Sequence, residues 1–551
     1  MGDGAALALH EIRSANVSCS GPMPMLSSMT APRLRDRDWT RFVAGPAVTL
    51  LTLLICSTTG ALAIAQPTSA SPVQVPASPT SGTKPWACPS GMPAHVTCGR
   101  LDVPLDWSDP ASARSVSIAF AVHRATDGRI GTLTFNPGGP GQSGVDALGF
   151  MLGAGPPAMA LPQQVVEHFD IVAWDPRGVG YSGPELTDCG RTDVAMDPIP
   201  QVGQIPWKEV AKGYAKRLAK VLRACADANP ELAAHLGTAA VIDDLEALRQ
   251  ALQVEQWTYL GTSYGTTIGM AYARAHPDRI RAMVLDGVAP PSQTLLQAAG
   301  SQAQAWRAAL DAFAAEYPKA GALTQLVIDA LDNRVLEWRQ VPFTRFPHGD
   351  APVSLYGSLS SYLQNERRFP ALRDLIFDLA GQLDDSSAAA DASEAATFTV
   401  PVNPIVSLVL CADRPNLPTI AQAAELALMA DGKGLAVAGI PSLERSLWCA
   451  GLGDLGRPLD ASTAPIVLPT PPLVLNAIGD MKTPMARARV AVEQLPGSRL
   501  ITYLGTIHGL YPRAGSDCVN AAVTDYLINL RLPATDLTCP IPVRAGAPAG
   551  G

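Results

Sequence analysis

The sequence predicts an α/β fold, a mostly parallel sheet with helices on both faces, interrupted by a mostly helical insert. Three observations carry this. β-like runs alternate with helical ones through the first half, among them "VSIAFAVHRA" (116–125), "GTLTFNPGG" (131–139) and "FDIVAWDPRG" (169–178). Such alternation builds parallel sheets covered on both faces. Strand text stops after 291, gives way to Ala/Leu-rich helical text, and resumes at "PPLVLNAIGD" (471–480). Finally, "YLGTSYGTTIGMAYA" (259–273) passes from strand to helix through a serine flanked by glycines.

Taken in order, the chain opens on a targeting segment. Arg33, Arg35, Arg37 and Arg41 precede an apolar stretch at 42–65, and Ala63-Ile64-Ala65 has the small-x-small form of a cleavage site. Read from Met29, the proportions are those of a secretory signal, so 1–28 reads as an upstream start-codon artefact. The small residues at its end favour cleavage of residues 1–65 as a signal peptide. Left uncleaved, the stretch is long enough to anchor the chain, and this is its one implied membrane contact. Residues 66–84, rich in Pro, Ser and Thr with no apolar period, read as a flexible linker.

The folded part divides into 85–291, the first part of the core; 292–465, a helical lid; and 466–545, the C-terminal part of the core. In the first part a helical stretch covers about 207–252. The strand "QWTYLG" (256–261), a helix from Thr266 to about His276 and the strand "IRAMVLDGV" (280–288) follow. Beyond the insert, a helix at 484–495 leads to the strand "SRLITYLG" (498–505). The return of strand text at 471 makes the helical segment an interruption of one core.

Composition narrows the function. At 551 residues and 47% hydrophobic, the chain can bury a large core, and its net charge of −8 argues against nucleic acid as a partner. Of ten cysteines, Cys19 and Cys56 fall in the targeting segment. Cys88, Cys98, Cys189, Cys225, Cys411, Cys449, Cys518 and Cys539 remain, an even set that implies disulfides in an exported chain. Pairing of sequence neighbours is expected: 88–98, 189–225, 411–449 and 518–539. No C-x-x-C occurs, and the sequence calls for no metal and no cofactor.

The chemistry centres on Gly261-Thr262-Ser263-Tyr264-Gly265, a G-x-S-x-G directly after a strand and directly before a helix. Such a corner needs small residues on either side and lifts the serine hydroxyl above the sheet edge. A hydroxyl becomes nucleophilic only when a base takes its proton, and in this context the partners follow as acid and then histidine. Of eight histidines, His276 leads away from the serine and His348 lies in the insert. His508, in "GTIHGLY", follows the last core strand and is the base. Asp480, in "LNAIGDMKTP", ends the preceding strand and is the acid; Asp460 and Asp517 end no strand. Thr483 and Pro484 read as the N-cap and first residue of the next helix, with Thr483 also steadying the carboxylate's loop. In "FNPGGPGQSG" (135–144), glycines leave backbone N–H groups open to an oxyanion, and Gly139 and Tyr264 are the expected donors.

These motifs resemble the proline-iminopeptidase-like α/β-hydrolases, and among them the secreted bacterial tripeptidyl aminopeptidases. The resemblance rests on "NPGGPGQSG" (136–144), "DPRGVGYSG" (175–183), "GTSYGT" (261–266), "GDMKTP" (479–484) and "IHG" (507–509), with "LDVPLDW" (101–107) and "CVNAAVTDYL" (518–527) in support. It spans about 86–540. It implies an enzyme that cuts short peptides, usually tripeptides, from free N-termini, with simple esters as further substrates; a carboxylesterase on the same triad is the alternative. Asp175 and Arg177 are expected to shape the loop beside the site. Many relatives carry Gly before the histidine, whereas this chain has Ile507. Recognition of a free amine calls for a carboxylate in the lid, and Glu366, Asp413 and Glu444 are the candidates.

Overall fold

The computed structural model describes residues 82–197, 205–320, 362–384, 398–414, 417–431, 436–453 and 455–542. The targeting segment, most of the linker and His348 lie outside them. The strands are β1 (Thr83–Trp86), β2 (Thr97–Pro104), β3 (Ser115–His123), β4 (Gly131–Asn136), β5 (Phe169–Trp174), β6 (Thr192–Met196), β7 (Trp257–Thr262), β8 (Ile280–Asp286), β9 (Phe398–Val402), β10 (Leu473–Ala477), β11 (Arg499–Tyr503) and β12 (Leu537–Cys539). Ten of them form one sheet in the order β1-β2-β3-β5-β4-β7-β8-β10-β11-β12. Pairing is antiparallel from β1 to β5 and parallel in every pair from β5 across to β12.

The central strands are buried at nearly every position because both faces are covered. On one face Tyr259, Met283, Leu285 and Val474 pack with Leu245, Leu248, Ile268 and Ala488 from helices Thr238–Ala251, Tyr264–Ala275 and Met485–Gln494. On the other, Leu133, Leu260, Val284, Leu475 and Ile501 pack with Leu148, Val165 and Val523 from helices Gly144–Met151, Gln163–His168 and Asp517–Asn529. Register aligns the strand ends: Thr262 sits opposite Asp286, and Leu475 opposite both Asp286 and Ile501. The loops leaving the carboxyl ends of β7, β8, β10 and β11 therefore open on one edge of the sheet, where parallel sheets carry their sites.

Between β8 and β10 the described residues are mainly helical, with helices Leu295–Glu316, Phe369–Asp384, Pro404–Ala412, Ile420–Asp431 and Ala436–Ser446. This insert also contains β9, which pairs antiparallel with β6 from the first half. Val194 and Met196 of β6 and Trp207 and Tyr214 of helix Trp207–Ala228 share a buried cluster with Val400, Ala423 and Leu443. The insert thus takes part of its core from residues before 291.

Other departures from the sequence reading are local. The stretch 207–252 is three helices, Trp207–Ala228, Pro230–Ala233 and Thr238–Ala251. Pro230 has no N–H to donate and opens its own turn, which breaks the run. β1 begins inside the expected linker because Thr83 and Lys84 pair with Leu101 and Arg100. The four neighbour disulfides are all present, Cys88–Cys98, Cys189–Cys225, Cys411–Cys449 and Cys518–Cys539.

Candidate active site

Ser263 stands between β7 and helix Tyr264–Ala275 at φ +58° and ψ −123°. A non-glycine residue there stores roughly 1–3 kcal/mol of backbone strain, which the surroundings must hold. They do so through hydrogen bonds: the Ser263 N–H donates to the Asp286 carbonyl (2.9 Å), and the Thr266 hydroxyl donates to the Ser263 carbonyl (2.6 Å). The flanking glycines are required by space. A Cβ on Gly265 would lie 2.2 Å from the Asn136 carbonyl oxygen, and one on Gly261 would lie 2.6 Å from the Gly265 carbonyl oxygen.

Asp480 and His508 meet on the same edge. His508 Nδ1 lies 2.8 Å from Asp480 Oδ2, with the Asp480 side chain fully buried and that of His508 12% exposed. Asp480 Oδ1 accepts the N–H groups of Lys482 (2.8 Å) and Thr483 (3.0 Å). Burial alone would raise the Asp480 carboxyl, but the charge and hydrogen bond of His508 and the bonds from Thr483 hold it below its ordinary value. It is an anion ready to orient an imidazole. Thr483 corrects the sequence reading in one respect. Its hydroxyl donates to Asp480 Oδ2 (2.7 Å) and lies 3.1 Å from His508 Nδ1, instead of capping a helix. The helix starts at Met485, and the residue preceding it is Pro484.

Two further carboxylates hold these loops, and sequence reasoning did not find their roles. Asp286, the last residue of β8, accepts the N–H groups of Leu510 (2.6 Å) and Tyr511 (2.8 Å) at Oδ2. One residue thereby fastens the elbow by its carbonyl and the histidine loop by its side chain. Its Oδ1 is buried with no hydrogen-bond partner among the described residues. Burial pushes its carboxyl up to about 6. Glu366, from the insert, accepts the Tyr503 hydroxyl (2.7 Å) at Oε1 and the N–H groups of Thr506 and Ile507 (both 3.0 Å) at Oε2. Ile507 is itself buried among core residues, so the position preceding His508 takes a large side chain without strain. The only signals in sequence were an Asp-Gly at a strand end and an acid in helical text, neither of them specific.

The glycine loop lies against the elbow. Gly138 adopts φ +98°, and a Cβ there would be 2.9 Å from Ser263 Cβ and 3.0 Å from the Tyr264 nitrogen. The Gly138 N–H is held by Asn136 Oδ1 (3.0 Å). Among the described residues the N–H groups of Gly139 and Tyr264 donate no hydrogen bond. Asp175 pins this loop from behind, accepting the Ser143 hydroxyl (2.8 Å) and the N–H groups of Val145 (3.0 Å) and Tyr181 (2.8 Å). Arg177 forms a fully buried bidentate pair with Asp244 (2.7 and 2.6 Å) and donates to the carbonyls of Leu105, His235 and Pro104.

The remaining insert carboxylates are placed differently from each other. Asp413, buried, accepts the Thr238 N–H (2.6 Å), the Thr238 hydroxyl (2.7 Å) and the Tyr264 hydroxyl (2.8 Å). Glu444 accepts from Trp448 Nε1 at 3.4 Å, and burial raises its carboxyl.

Comparison with known proteins agrees with this geometry. Residues 131–326 match the alpha/beta hydrolase fold family, and residues 437–539 match the TAP-like protein family. The chain is 29% identical over 480 residues to serine protease Hip1 of Mycobacterium tuberculosis, covering 81% of this chain and 88% of that protein. It is 34% identical over 218 residues to the tripeptidyl aminopeptidase of Streptomyces coelicolor, covering 37% of each. Over 491 residues it is 28% identical to carboxylesterase B of M. tuberculosis, covering 86% of this chain and 92% of that protein. With a serine elbow on the edge of a mostly parallel sheet, the chain has the α/β-hydrolase fold, is similar to the TAP-like proteins and is a serine hydrolase.

Proposed function

We propose that this serine hydrolase is a peptidase that releases short peptides, tripeptides foremost, from free N-termini, with residues 292–465 as a lid over the site. One observation carries the reading. Carboxylates of the insert bond to both halves of the reactive corner, Asp413 to the Tyr264 hydroxyl and Glu366 to the loop before His508. An insert fastened in this way limits how far a chain can extend past the serine, which favours cleavage counted from an end. Similarity to tripeptidyl aminopeptidase and to Hip1 supports a peptide substrate. The four disulfides support a location outside the cytoplasm, reached through the signal at 1–65.

In this reading Ser263 Oγ attacks the scissile carbonyl as His508 takes its proton through Nε2. Asp480 on Nδ1 fixes the tautomer and stabilises the imidazolium. The developing oxyanion receives the N–H groups of Gly139 and Tyr264. His508 returns the proton to the leaving amine, and the acyl-enzyme on Ser263 is then hydrolysed by a water that His508 deprotonates. Glu444 takes the substrate ammonium, because Glu366 and Asp413 already accept several hydrogen bonds each from the scaffold. A charge-assisted bond in a partly desolvated pocket is worth roughly tenfold or more in affinity. Acetylating the N-terminus of a good tripeptide substrate should therefore lower kcat/KM at least about tenfold. Equal cleavage of blocked and free peptides would remove this reading in favour of an esterase, the reading to which similarity with carboxylesterase B points.

A further inference from the structure

Two guanidinium groups converge on a single residue beside the site. Arg414, which follows helix Pro404–Ala412, donates through Nε to the backbone carbonyl of Gln293 (3.3 Å). Arg487, in the first turn of helix Met485–Gln494, donates through Nε to the side-chain oxygen of the same Gln293 (2.8 Å) and through Nη1 to the Lys482 carbonyl (3.5 Å). Both lie one step from the reactive groups. Asp413, adjacent to Arg414, bonds the hydroxyl of Tyr264, the residue after the serine. Lys482, whose carbonyl Arg487 reaches, donates its own N–H to Asp480.

Neither guanidinium forms a direct ion pair among the described residues, although the charges of Asp413 and Asp480 act on Arg414 and Arg487 from a distance. Arg487 is 4% exposed, yet the acceptors it has among the described residues are neutral. Nη1 of Arg414 is buried with no hydrogen-bond partner among the described residues. The nearest carboxylates are occupied: Asp413 by Thr238 and Tyr264, and Asp480 by His508 and Thr483. Burial, with Arg445 and Arg414 nearby, pushes the Arg487 guanidinium down to about 9 against the opposing charge of Asp480, which leaves it a cation at neutral pH. Arg177 shows how this chain treats an arginine that only supports the fold. It is fully buried, and it is paired bidentately with Asp244 and bonded to three carbonyls. Buried cations are costly unless paired. Two guanidiniums that no carboxylate touches directly, beside a reaction centre, are complementary to an anion that arrives with the substrate.

We propose that Arg414 and Arg487 form a subsite for a carboxylate of the substrate. The proposal rests on the serine hydrolase reading and narrows its substrate class to acyl compounds, short peptides foremost, that carry a carboxylate. Planar guanidinium forks match carboxylate geometry, and Gln293 holds both in place. The carboxylate comes either from the C-terminus of a short peptide or from an acidic side chain.

Binding to the Ser263→Ala protein tests this without turnover. Calorimetry would compare tetra-alanine with its C-terminal amide, and amidated tetrapeptides carrying Glu with those carrying Gln, placed at each position in turn. The expected result is at least about tenfold tighter binding of the carboxylate form in one of the two series, which also identifies the source. That ratio should fall below about threefold when Arg487→Gln or Arg414→Gln is added, with far-UV circular dichroism confirming that each variant is folded. Equal affinities in both series overturn the proposal, as does a preference that survives both substitutions. Failure of every carboxylate peptide to bind at millimolar concentration also overturns it. Cleavage of these peptides by Ser263→Ala would instead refute the underlying hydrolase assignment, so the two failures are distinct.

Discussion

Asp286 offers a quantitative test of how the site is held. Its carboxyl is pushed up to about 6 from an ordinary 3.8, chiefly by burial, with the Leu510 and Tyr511 N–H groups and His508 opposing and Asp480 assisting. Between these values the unfolded chain has released its proton while the folded chain keeps it. Folding therefore binds a proton in this window, and stability falls as pH rises through it. The difference of about two pH units corresponds to about 3 kcal/mol at neutral pH, at 1.36 kcal/mol per unit. Below the unfolded value the penalty is absent.

Asp286→Asn removes the titration and keeps an oxygen where Oδ2 accepts its two bonds. The amide nitrogen falls where Oδ1 has no partner, and a buried unsatisfied donor costs about 1–3 kcal/mol at every pH. The two effects separate by their pH dependence. Urea unfolding of both proteins, followed by tryptophan fluorescence, should show the variant's stability relative to the parent improving by about 2–3 kcal/mol between pH 4 and pH 7.5. A relative stability that is flat across this range would refute the assignment of a protonated, buried Asp286. In the same comparison Asp286→Ala, which loses both bonds to the histidine loop, should lose more kcat than Asp286→Asn at pH 7.5.

Two further outcomes are expected. Ser263→Ala and His508→Ala should each lower kcat by roughly a thousandfold or more with circular dichroism unchanged, and Asp480→Asn by less, because serine and histidine act as a unit; hydrolysis of p-nitrophenyl acetate measures this, and retained turnover in Ser263→Ala would overturn the triad. Replacing both Cys411 and Cys449 by Ala opens a link of sequence separation 38 and should cost about 4 kcal/mol in urea unfolding on loop-closure grounds.

The groups proposed to react were legible because their constraints are local. A serine that must stand at positive φ between a strand and a helix forces glycines two residues away on each side, and that pattern survives in five letters. Asp480 and His508 could be placed because each follows a strand that the sequence marks clearly. The groups that hold them were not legible, and the reason is geometric. Whether a carboxylate supports a loop depends on which backbone N–H groups face it, and that is fixed by strand order and register. Asp286 reaches Leu510 because the loop leaving β11 passes over the end of β8, with β10 between them in the sheet. Glu366 reaches Ile507 because the insert folds back onto the same edge.

The same cause explains the misread cap. Thr483 before Pro484 has the local chemistry of a helix start, but a buried Asp480 three residues earlier competes for the hydroxyl. An ionised acceptor makes the stronger bond. Local propensity names a residue's options, and the charge beside it decides among them. At this site the deciding charges come from chain segments far apart in sequence, so the support of the triad is the part that only the folded chain displays.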